Sequence, residues 1–310
     1  MILTILIFAV ALLVLLQSAG YSIRYASKIA QILRFPEFII SFFIVALISV
    51  LPEAMISIIS AINGEPSLGF GTLIGSNVAD LTLVLGIVTL FSKKNIKVES
   101  KILKNNWLYL ILLFIPFLLG IDGNFSRIDG IILILFGIIF FFKIYFTSKK
   151  FREKKVHHKN WPIIKTLLIL VISLILLVIS AFITVRYAVN LSEALVIPSI
   201  IIGLTVLSIG TCLPELTFSI KSVMKEHDGL ALGDILGTVI TDATIIFGIV
   251  ILISPFDYPL KKICLTTLAM FLSGVLVVLF MKSKKVLTKK EGLLLILFYI
   301  LFIILEILIQ

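Results

Sequence analysis

Charged and chemically reactive residues are scarce in this sequence. Of its 310 residues, 14% are charged, and there are only three histidines and two cysteines. Cys212 and Cys264 both lie in apolar stretches and form no CxxC pair, so neither a disulfide framework nor a cysteine metal site is indicated. Because a soluble domain of this size must coat its exterior with polar side chains, the composition argues against that class.

Long apolar runs take the place of the missing polar residues. The chain is 60% hydrophobic, with a mean hydropathy of +1.21. Residues 1–16 and 166–183 are nearly free of charge, and such runs can cross an apolar layer roughly 30 Å thick. The first run has neither a basic start nor a small-residue cleavage site, so it predicts a retained span. We therefore predict an all-α polytopic membrane protein.

Charged residues, prolines and glycines divide the chain into ten candidate spans. They are residues 1–23, 37–62, 68–91, 105–120, 127–146, 164–185, 196–220, 229–254, 263–281 and 292–309. One set of alternate loops then holds 23 Lys and Arg residues and the other holds 4. The positive-inside rule makes the rich side cytoplasmic, which predicts a cell-membrane protein with its amino terminus outside. Anionic lipid headgroups, rather than nucleic acid, are the expected partners of the basic loops.

An internal repeat becomes visible when the chain is shifted by 162 residues. Between residues 24–86 and 186–248, 19 of 63 positions are identical, including prolines, glycines and acidic residues. Since each half holds an odd number of spans, the halves must cross the membrane in opposite directions. The predicted organisation is a first five-helix repeat (1–147), a basic cytoplasmic linker (148–163) and a second five-helix repeat (164–310), together forming one membrane domain.

Four carboxylates lie well inside predicted spans, in two repeat-related pairs. Glu53 matches Glu215, and Asp80 matches Asp242. An ionised side chain at this depth is costly and usually marks an ion path, and no Lys or Arg lies at similar depth in these spans. Structural carboxylates that are protonated or paired are the less favoured reading. The cluster thus predicts bound cations or protons.

A proline directly precedes each glutamate. Pro52 and Pro214 remove a backbone N–H in mid-span and free carbonyl oxygens one turn earlier. Freed carbonyls are tolerated in a membrane where they line a cavity or meet a ligand. A broken helix beside a carboxylate is a suitable shell for a hard cation such as Ca²⁺ or Na⁺.

Smaller polar residues and glycines accompany the carboxylates. Hydroxyls adjoin them at Ser49, Ser76, Thr211 and Thr238, and closely packed helices are predicted at Gly71, Gly75, Gly233 and Gly237. Asp234 has no acidic repeat partner, because Thr72 occupies that position, and we assign it a supporting or ion-entry role. Glu306 is near a span end and is expected at the membrane interface.

The two glutamate motifs resemble those of the calcium/cation antiporter family, which includes sodium/calcium exchangers. Residues 209–215 (IGTCLPE) resemble its G-T-S-L-P-E motif, and residues 233–242 (GDILGTVITD) resemble its G-N-x-x-G-S-N-x-x-D motif. The first half carries both motifs again, at residues 46–53 and 71–80. The resemblance covers nearly the whole chain, and a doubled motif of this kind is highly specific.

The resemblance implies a transport mechanism without a cofactor. Ca²⁺ would bind between Glu53 and Glu215, helped by carbonyls near Ser49 and Thr211. Coupling ions would occupy overlapping positions near Ala46, Ser208, Asp80 and Asp242. The first and sixth spans would slide past the other eight, and a monomer would suffice for function.

Departures from the family motif leave the coupling ion open. The serine before Leu-Pro-Glu is Val50 in the first half and Cys212 in the second, and Asp80 stands where sodium/calcium exchangers commonly have asparagine. Compared with sodium/calcium exchangers, the predicted site has fewer neutral oxygen ligands and more carboxylates, which makes proton coupling an alternative. The Cys212 thiol also allows a transition metal such as Mn²⁺ as the transported ion.

Four functions are therefore weighed. The first is Ca²⁺/Na⁺ antiport, and the second is proton-coupled exchange of Ca²⁺ or another divalent ion such as Mn²⁺. A passive cation channel could use the same carboxylates, but the inverted repeat disfavours it. A membrane enzyme is less favoured still, because no histidine or Ser-His pair accompanies the carboxylates at depth.

Overall fold

The computed structural model describes residues 2–32, 46–98, 106–148, 162–258 and 260–309. These ranges are helical almost throughout, as the sequence predicts. Seven continuous helical stretches of the described ranges are long and apolar enough to cross a membrane, and some of them combine consecutive helices such as residues 66–91. Two shorter apolar helices lie at Leu51–Ile62 and Trp107–Leu119. The chain is thus an α-helical membrane protein.

The first half contains seven α-helices and two short strands within the described ranges. They are α1 (Ile2–Ile32), α2 (Ala46–Ser49), α3 (Leu51–Ile62), α4 (Pro66–Ala79), α5 (Leu85–Phe91), β1 (Ile96–Lys97), α6 (Asn106–Leu119), β2 (Asn124–Phe125) and α7 (Arg127–Ser148). A π-helical segment, Asp80–Val84, joins α4 to α5.

The second half repeats this order. Its elements are α8 (Ile163–Leu195), α9 (Ser199–Ile202), α10 (Ser208–Thr211), α11 (Leu213–Met224), α12 (Asp228–Ile240), α13 (Phe247–Ile253), β3 (Phe256–Asp257), α14 (Leu260–Lys284), β4 (Val286–Leu287) and α15 (Lys289–Ile309). Two further π-helical segments, Gly203–Leu207 and Thr241–Ile246, join α9 to α10 and α12 to α13.

Helix boundaries recur at the spacing of the sequence repeat. The bounds of α3 and α11 differ by 162 residues at both ends, and so do those of α5 and α13. Left-handed backbone recurs in the same way, at Gly64 and Glu226 and again at Gly123 and Lys285. The two halves therefore build the same local structure.

Two helices are longer than the sequence predicted. The first continues to Ile32 rather than ending near residue 23, and α8 continues to Leu195 rather than ending near residue 185. Both predicted spans stopped just before an arginine, Arg24 or Arg186, although arginine continues a helix readily. The α8 helix ends at Val196, in the left-handed conformation, two residues before Pro198.

Part of the predicted organisation lies outside the described residues. This applies to residues 37–45 of the second predicted span and to residues 149–161 of the basic linker.

Buried apolar side chains form two separate clusters. The larger one, the main core, joins α4, α5, α12 and α13 to α6, α14 and α15. The smaller one, the α1–α8 core, lies between α1, α8 and parts of α3 and α4. Small side chains let α1 and α8 approach closely, and Ser22 donates a hydrogen bond to the Ser173 hydroxyl oxygen at 2.9 Å.

Two short antiparallel ribbons connect the halves crosswise. Strand β1 pairs with β4, and β2 pairs with β3. Additional bonds flank the first ribbon, where the Lys97 N–H donates to an Asp228 carboxylate oxygen at 2.8 Å and Lys94 forms an ion pair with Glu226 at 3.2 Å. The ribbons hold the loops that connect the helices of the main core.

Candidate functional site

Both predicted helix breaks are confirmed. The chain turns at Val50 between α2 and α3, and at Cys212 between α10 and α11. Pro52 and Pro214 occupy the second position of the new helices, where the missing N–H costs no helical bond. After each turn the helical ladder resumes with bonds of 2.9 Å, from Ala54 N to Val50 O and from Leu216 N to Cys212 O. Each glutamate therefore stands in the first turn of a helix, next to a helix end.

The four predicted carboxylates are completely buried. Glu53, Glu215, Asp80 and Asp242 each have 0% exposure. Within the described part of the chain, their carboxylate oxygens accept no hydrogen bond, and no lysine or arginine forms an ion pair with them. Buried polar atoms are normally paired, so these eight oxygens, which have no partner among the described residues, mark the region as a candidate site for a cation or a proton.

The acidic side chains are brought close enough to interact. Glu53 and Asp80 each lie within electrostatic range of Glu215, and Asp242 lies within range of both Glu53 and Asp80. In the described ranges, however, no three His, Cys, Asp or Glu side chains converge closely enough to hold a metal ion by themselves. A cation here would need hydroxyl and carbonyl oxygens in addition to the carboxylates.

Each aspartate lies in a π-helical segment that joins two α-helices. Asp80 is the first residue of its segment and Asp242 is the second residue of its own. Such segments widen the helix locally and occur often at functional sites. The sequence did not predict them, because no residue type marks a π segment.

The glycine prediction is confirmed for Gly71 and Gly75. A Cβ atom on Gly75 would lie 2.9 Å from Leu204 Cα and 3.0 Å from Ser208 Cβ, and Gly71 faces the backbone of Ile200 and Leu204. The two glycines let α4 pack directly against the broken span that carries Glu215.

Most of the predicted hydroxyls bond to their own helix. Ser76 donates to Leu73 O at 3.0 Å, Thr211 to Ser208 O at 3.3 Å, and Ser208 to Thr205 O at 3.2 Å. The Cys212 thiol, 2% exposed, donates to the Ser76 carbonyl at 3.6 Å. Ala46 lies in α2, and its backbone is one turn before the Val50 break.

Ser49, Asp234 and Thr238 form a contact between helices. Ser49 Oγ donates to Asp234 Oδ1 at 2.9 Å and lies 3.2 Å from Thr238 Oγ1. All three side chains have 0% exposure. The structure thus brings Asp234, for which the sequence indicated a supporting or ion-entry role, into contact with a predicted site residue.

Three neighbouring polar groups were missed from the sequence. The Tyr109 and Tyr299 hydroxyls are buried within electrostatic range of Asp80, and neither has a hydrogen-bond partner in the described ranges. Asn77 donates to the Met270 sulfur at 3.4 Å, while its side-chain oxygen is buried without a described partner. Tyr109 and Tyr299 could have been noticed in the sequence, because each is a polar aromatic residue within a largely apolar span.

Glu306, which was expected at the membrane interface, is buried inside the protein. Its side chain is 2% exposed and accepts a hydrogen bond from Thr266 Oγ1 at 2.6 Å. Burial, together with the nearby Glu306 charge, raises the pKa of Tyr258 in the loop before α14 to about 12. Packing of α14 against α15 encloses Glu306, which its position near the end of the chain did not reveal.

A family profile matches the chain twice. The profile of the sodium/calcium exchanger protein covers residues 3–146 and again residues 165–308. The two matches are displaced by 162 residues at both ends, which is the spacing of the internal repeat.

Relatives and solved structures agree with this profile. A putative antiporter CaxA of Alkalimonas amylolytica is 31% identical, covering 79% of both chains, and a sodium/calcium exchanger of Methanosarcina acetivorans is 25% identical, covering 96% of this chain and 97% of its own. A structure of the sodium-calcium exchanger NCX_Mj, soaked with Na⁺ and Sr²⁺, is 27% identical, covers 97% of both chains and superposes with a TM-score of 0.70.

Proposed function

Because this chain belongs to the sodium/calcium exchanger protein family, and is therefore a cation antiporter and not an enzyme, we propose that it exchanges Ca²⁺ for Na⁺. The exchange would take place at a carboxylate site in the middle of the membrane. The transported ions are the substrates, and the reaction calls for no cofactor.

The orphaned carboxylates carry this proposal. Eight buried oxygens from Glu53, Glu215, Asp80 and Asp242 have no partner among the described residues. Charges of one sign in a low-dielectric interior strongly favour cation binding, since desolvation and mutual repulsion both oppose leaving them bare. Two symmetric pairs also match what an exchanger needs, because the same groups must serve an ion arriving from either face.

We assign Ca²⁺ to the space between Glu53 and Glu215. The interruptions at Val50 and Cys212 support this assignment, because backbone carbonyls near Ser49 and Thr211 would then be available as hard oxygen ligands. Coupling ions would use overlapping positions that include Ala46, Ser208, Asp80 and Asp242, with Ser76, Thr238 and Cys212 beside them. Overlap makes binding mutually exclusive, which is the basis of exchange.

The proposed architecture is ten spans in two inverted five-helix repeats, residues 1–147 and 164–310, joined by the cytoplasmic linker 148–163. Recurring helix boundaries and the doubled family match support it. The basic loops support a cell-membrane protein with its amino terminus outside and with anionic lipids around its cytoplasmic side. The site lies within one chain, so we propose that a monomer is functional.

Alternating access would come from α1 and α8 moving together. These helices share the α1–α8 core, which is separate from the main core that the ribbons hold. Sliding of this pair would disturb the α1–α8 core, which also includes Ile56, Ile59 and Leu68 of α3 and α4, while the main core would stay intact.

A gradient-swap experiment tests the coupling. The purified protein is placed in liposomes, and ⁴⁵Ca²⁺ uptake is measured while the Na⁺ and H⁺ gradients are imposed independently. We expect an outward Na⁺ gradient to drive uptake at constant pH. Uptake that ignores Na⁺ but follows the pH gradient would instead establish proton coupling, and uptake without any counter-ion would establish a channel.

A further inference from the structure

The Ser49 contact divides the site unequally between the two halves. In one half, Ser49 reaches across to Asp234 and Thr238, at 2.9 and 3.2 Å. In the other half, the repeat partners of these three residues are Thr211, Thr72 and Ser76. Each of them donates its hydroxyl to a carbonyl of its own helical segment, at Ser208, Leu68 and Leu73 respectively. The three repeat partners therefore form no hydrogen bond with one another of the kind that joins Ser49 to Asp234.

Asp234 brings an unsatisfied charge into this cluster. Its Oδ1 atom accepts the Ser49 hydrogen bond, while its Oδ2 atom is buried and has no partner among the described residues. The neighbouring Val50, 1% exposed, offers no side-chain oxygen. One hydroxyl donor leaves the second oxygen of this buried carboxylate unpaired, and a bound cation would satisfy it.

We propose that Asp234, Thr238 and Ser49 form a second cation subsite, which takes a monovalent ion rather than Ca²⁺. One carboxylate and two hydroxyls match a single positive charge, whereas Ca²⁺ takes six to eight oxygens and favours several carboxylates. Within the proposed exchange, on which this inference rests, the ion is the coupling Na⁺.

The position of the subsite gives it a role distinct from that of the central glutamates. Asp234 precedes Asp242 by eight residues, which is about 12 Å along a helix. It still lies within electrostatic range of both Glu53 and Glu215. A cation bound at Asp234 would thus weaken Ca²⁺ binding at the glutamates through charge repulsion, although the two ions would not share all of their ligands.

The test compares Na⁺ and Ca²⁺ dependence in variants of this cluster. Asp234→Asn keeps the shape and removes the charge, and Thr238→Val removes one hydroxyl. Thr72→Val is the matched control, because Thr72 is the repeat partner of Asp234 and its hydroxyl bonds back to Leu68 O. For D234N we expect the half-saturating Na⁺ concentration in liposome exchange to rise about tenfold. The half-saturating Ca²⁺ concentration in Na⁺-free Ca²⁺/Ca²⁺ exchange should rise by a clearly smaller factor, about threefold or less, because Asp234 acts on the glutamates only through its charge. T238V should shift Na⁺ dependence in the same direction, and T72V should leave both unchanged.

A binding measurement separates this inference from the proposed function. The melting temperature of the wild-type protein in detergent is compared in Na⁺ and in K⁺ at equal ionic strength, with Ca²⁺ chelated. Na⁺ should raise it relative to K⁺, and D234N should lose most of that rise.

Wild-type protein that shows no Na⁺-driven Ca²⁺ flux would defeat the exchange proposal, while the melting measurement would still test the subsite. Unchanged Na⁺ dependence in D234N, or an equal loss of Na⁺ and Ca²⁺ affinity, would overturn the subsite. If D234N does not fold, T238V decides by the same criteria.

Discussion

At the scale of single residues, the main feature of the molecule is a set of acidic side chains that are completely buried inside a membrane protein. Glu53 and Glu215 are fully buried in the first turns of two helices, and their oxygens have no described hydrogen-bond partner. A helix N-terminus favours a negative charge, but only by about 0.3–1 kcal/mol, which is small beside the cost of burying a carboxylate. The proposed ion binding gives a physical reason for keeping both glutamates.

Neutralising either glutamate should abolish exchange without unfolding the protein. Glu53→Gln and Glu215→Gln retain size and remove the charge that Ca²⁺ needs, so we expect Na⁺-driven Ca²⁺ uptake to fall at least about a hundredfold. The melting temperature should not fall, since a buried repulsive charge is lost. Glu193→Gln, at an exposed position of α8, is the control and should transport normally. Normal exchange by both glutamine variants would refute the site.

At the scale of elements, breaks and close contacts position the site. The turns at Val50 and Cys212 provide helix ends, and π segments carry both aspartates. Gly75 lets α4 pack against the segment that leads to Glu215, since a side chain there would meet Leu204 and Ser208. The geometry of the site therefore depends on glycine as much as on the charged residues.

A methyl group on Gly75 should destabilise the fold. Gly75→Ala places a Cβ atom 2.9 Å from Leu204 Cα, and overpacking of this kind costs about 1–3 kcal/mol. Gly20→Ala is the matched control, because a Cβ atom on Gly20 meets nothing within 4 Å, and the change should stabilise the helix by about 0.5–1 kcal/mol. Thermal unfolding in detergent measures both. Equal melting temperatures for the two variants would contradict the close-contact role.

At the scale of the whole molecule, the two ribbons and two cores divide the protein into parts. The ribbons join loops from both halves, so the helices of the main core are tied together at their ends. Helices α1 and α8 belong to the other cluster. This division supports the proposed sliding of α1 and α8, because relative motion then breaks few contacts of the main core.

Cysteine labelling tests the proposed orientation. Asn63 and Lys93 are both exposed and follow consecutive predicted spans, so they should lie on opposite sides of the membrane. In intact cells, a membrane-impermeant maleimide should modify Asn63→Cys, and it should modify Lys93→Cys only after permeabilisation. The parent protein is the background control, since Cys212 is buried and Cys264 half-buried. Labelling in the reverse order would invert the proposed topology.

The sequence alone determined the helical membrane class, the repeat, the helix breaks and the four central carboxylates. Each rests on information local to the chain: hydropathy sets the spans, proline removes a specific hydrogen bond, and a buried charge is costly wherever the helix places it. The burial of Glu306, the π segments and the contact from Ser49 to Asp234 were decided only by tertiary structure. They depend on which helices pack against each other. The contact of Glu306 with Thr266 joins residues 40 positions apart in the sequence, and that of Ser49 with Asp234 joins residues 185 positions apart. No local sequence pattern encodes such pairings.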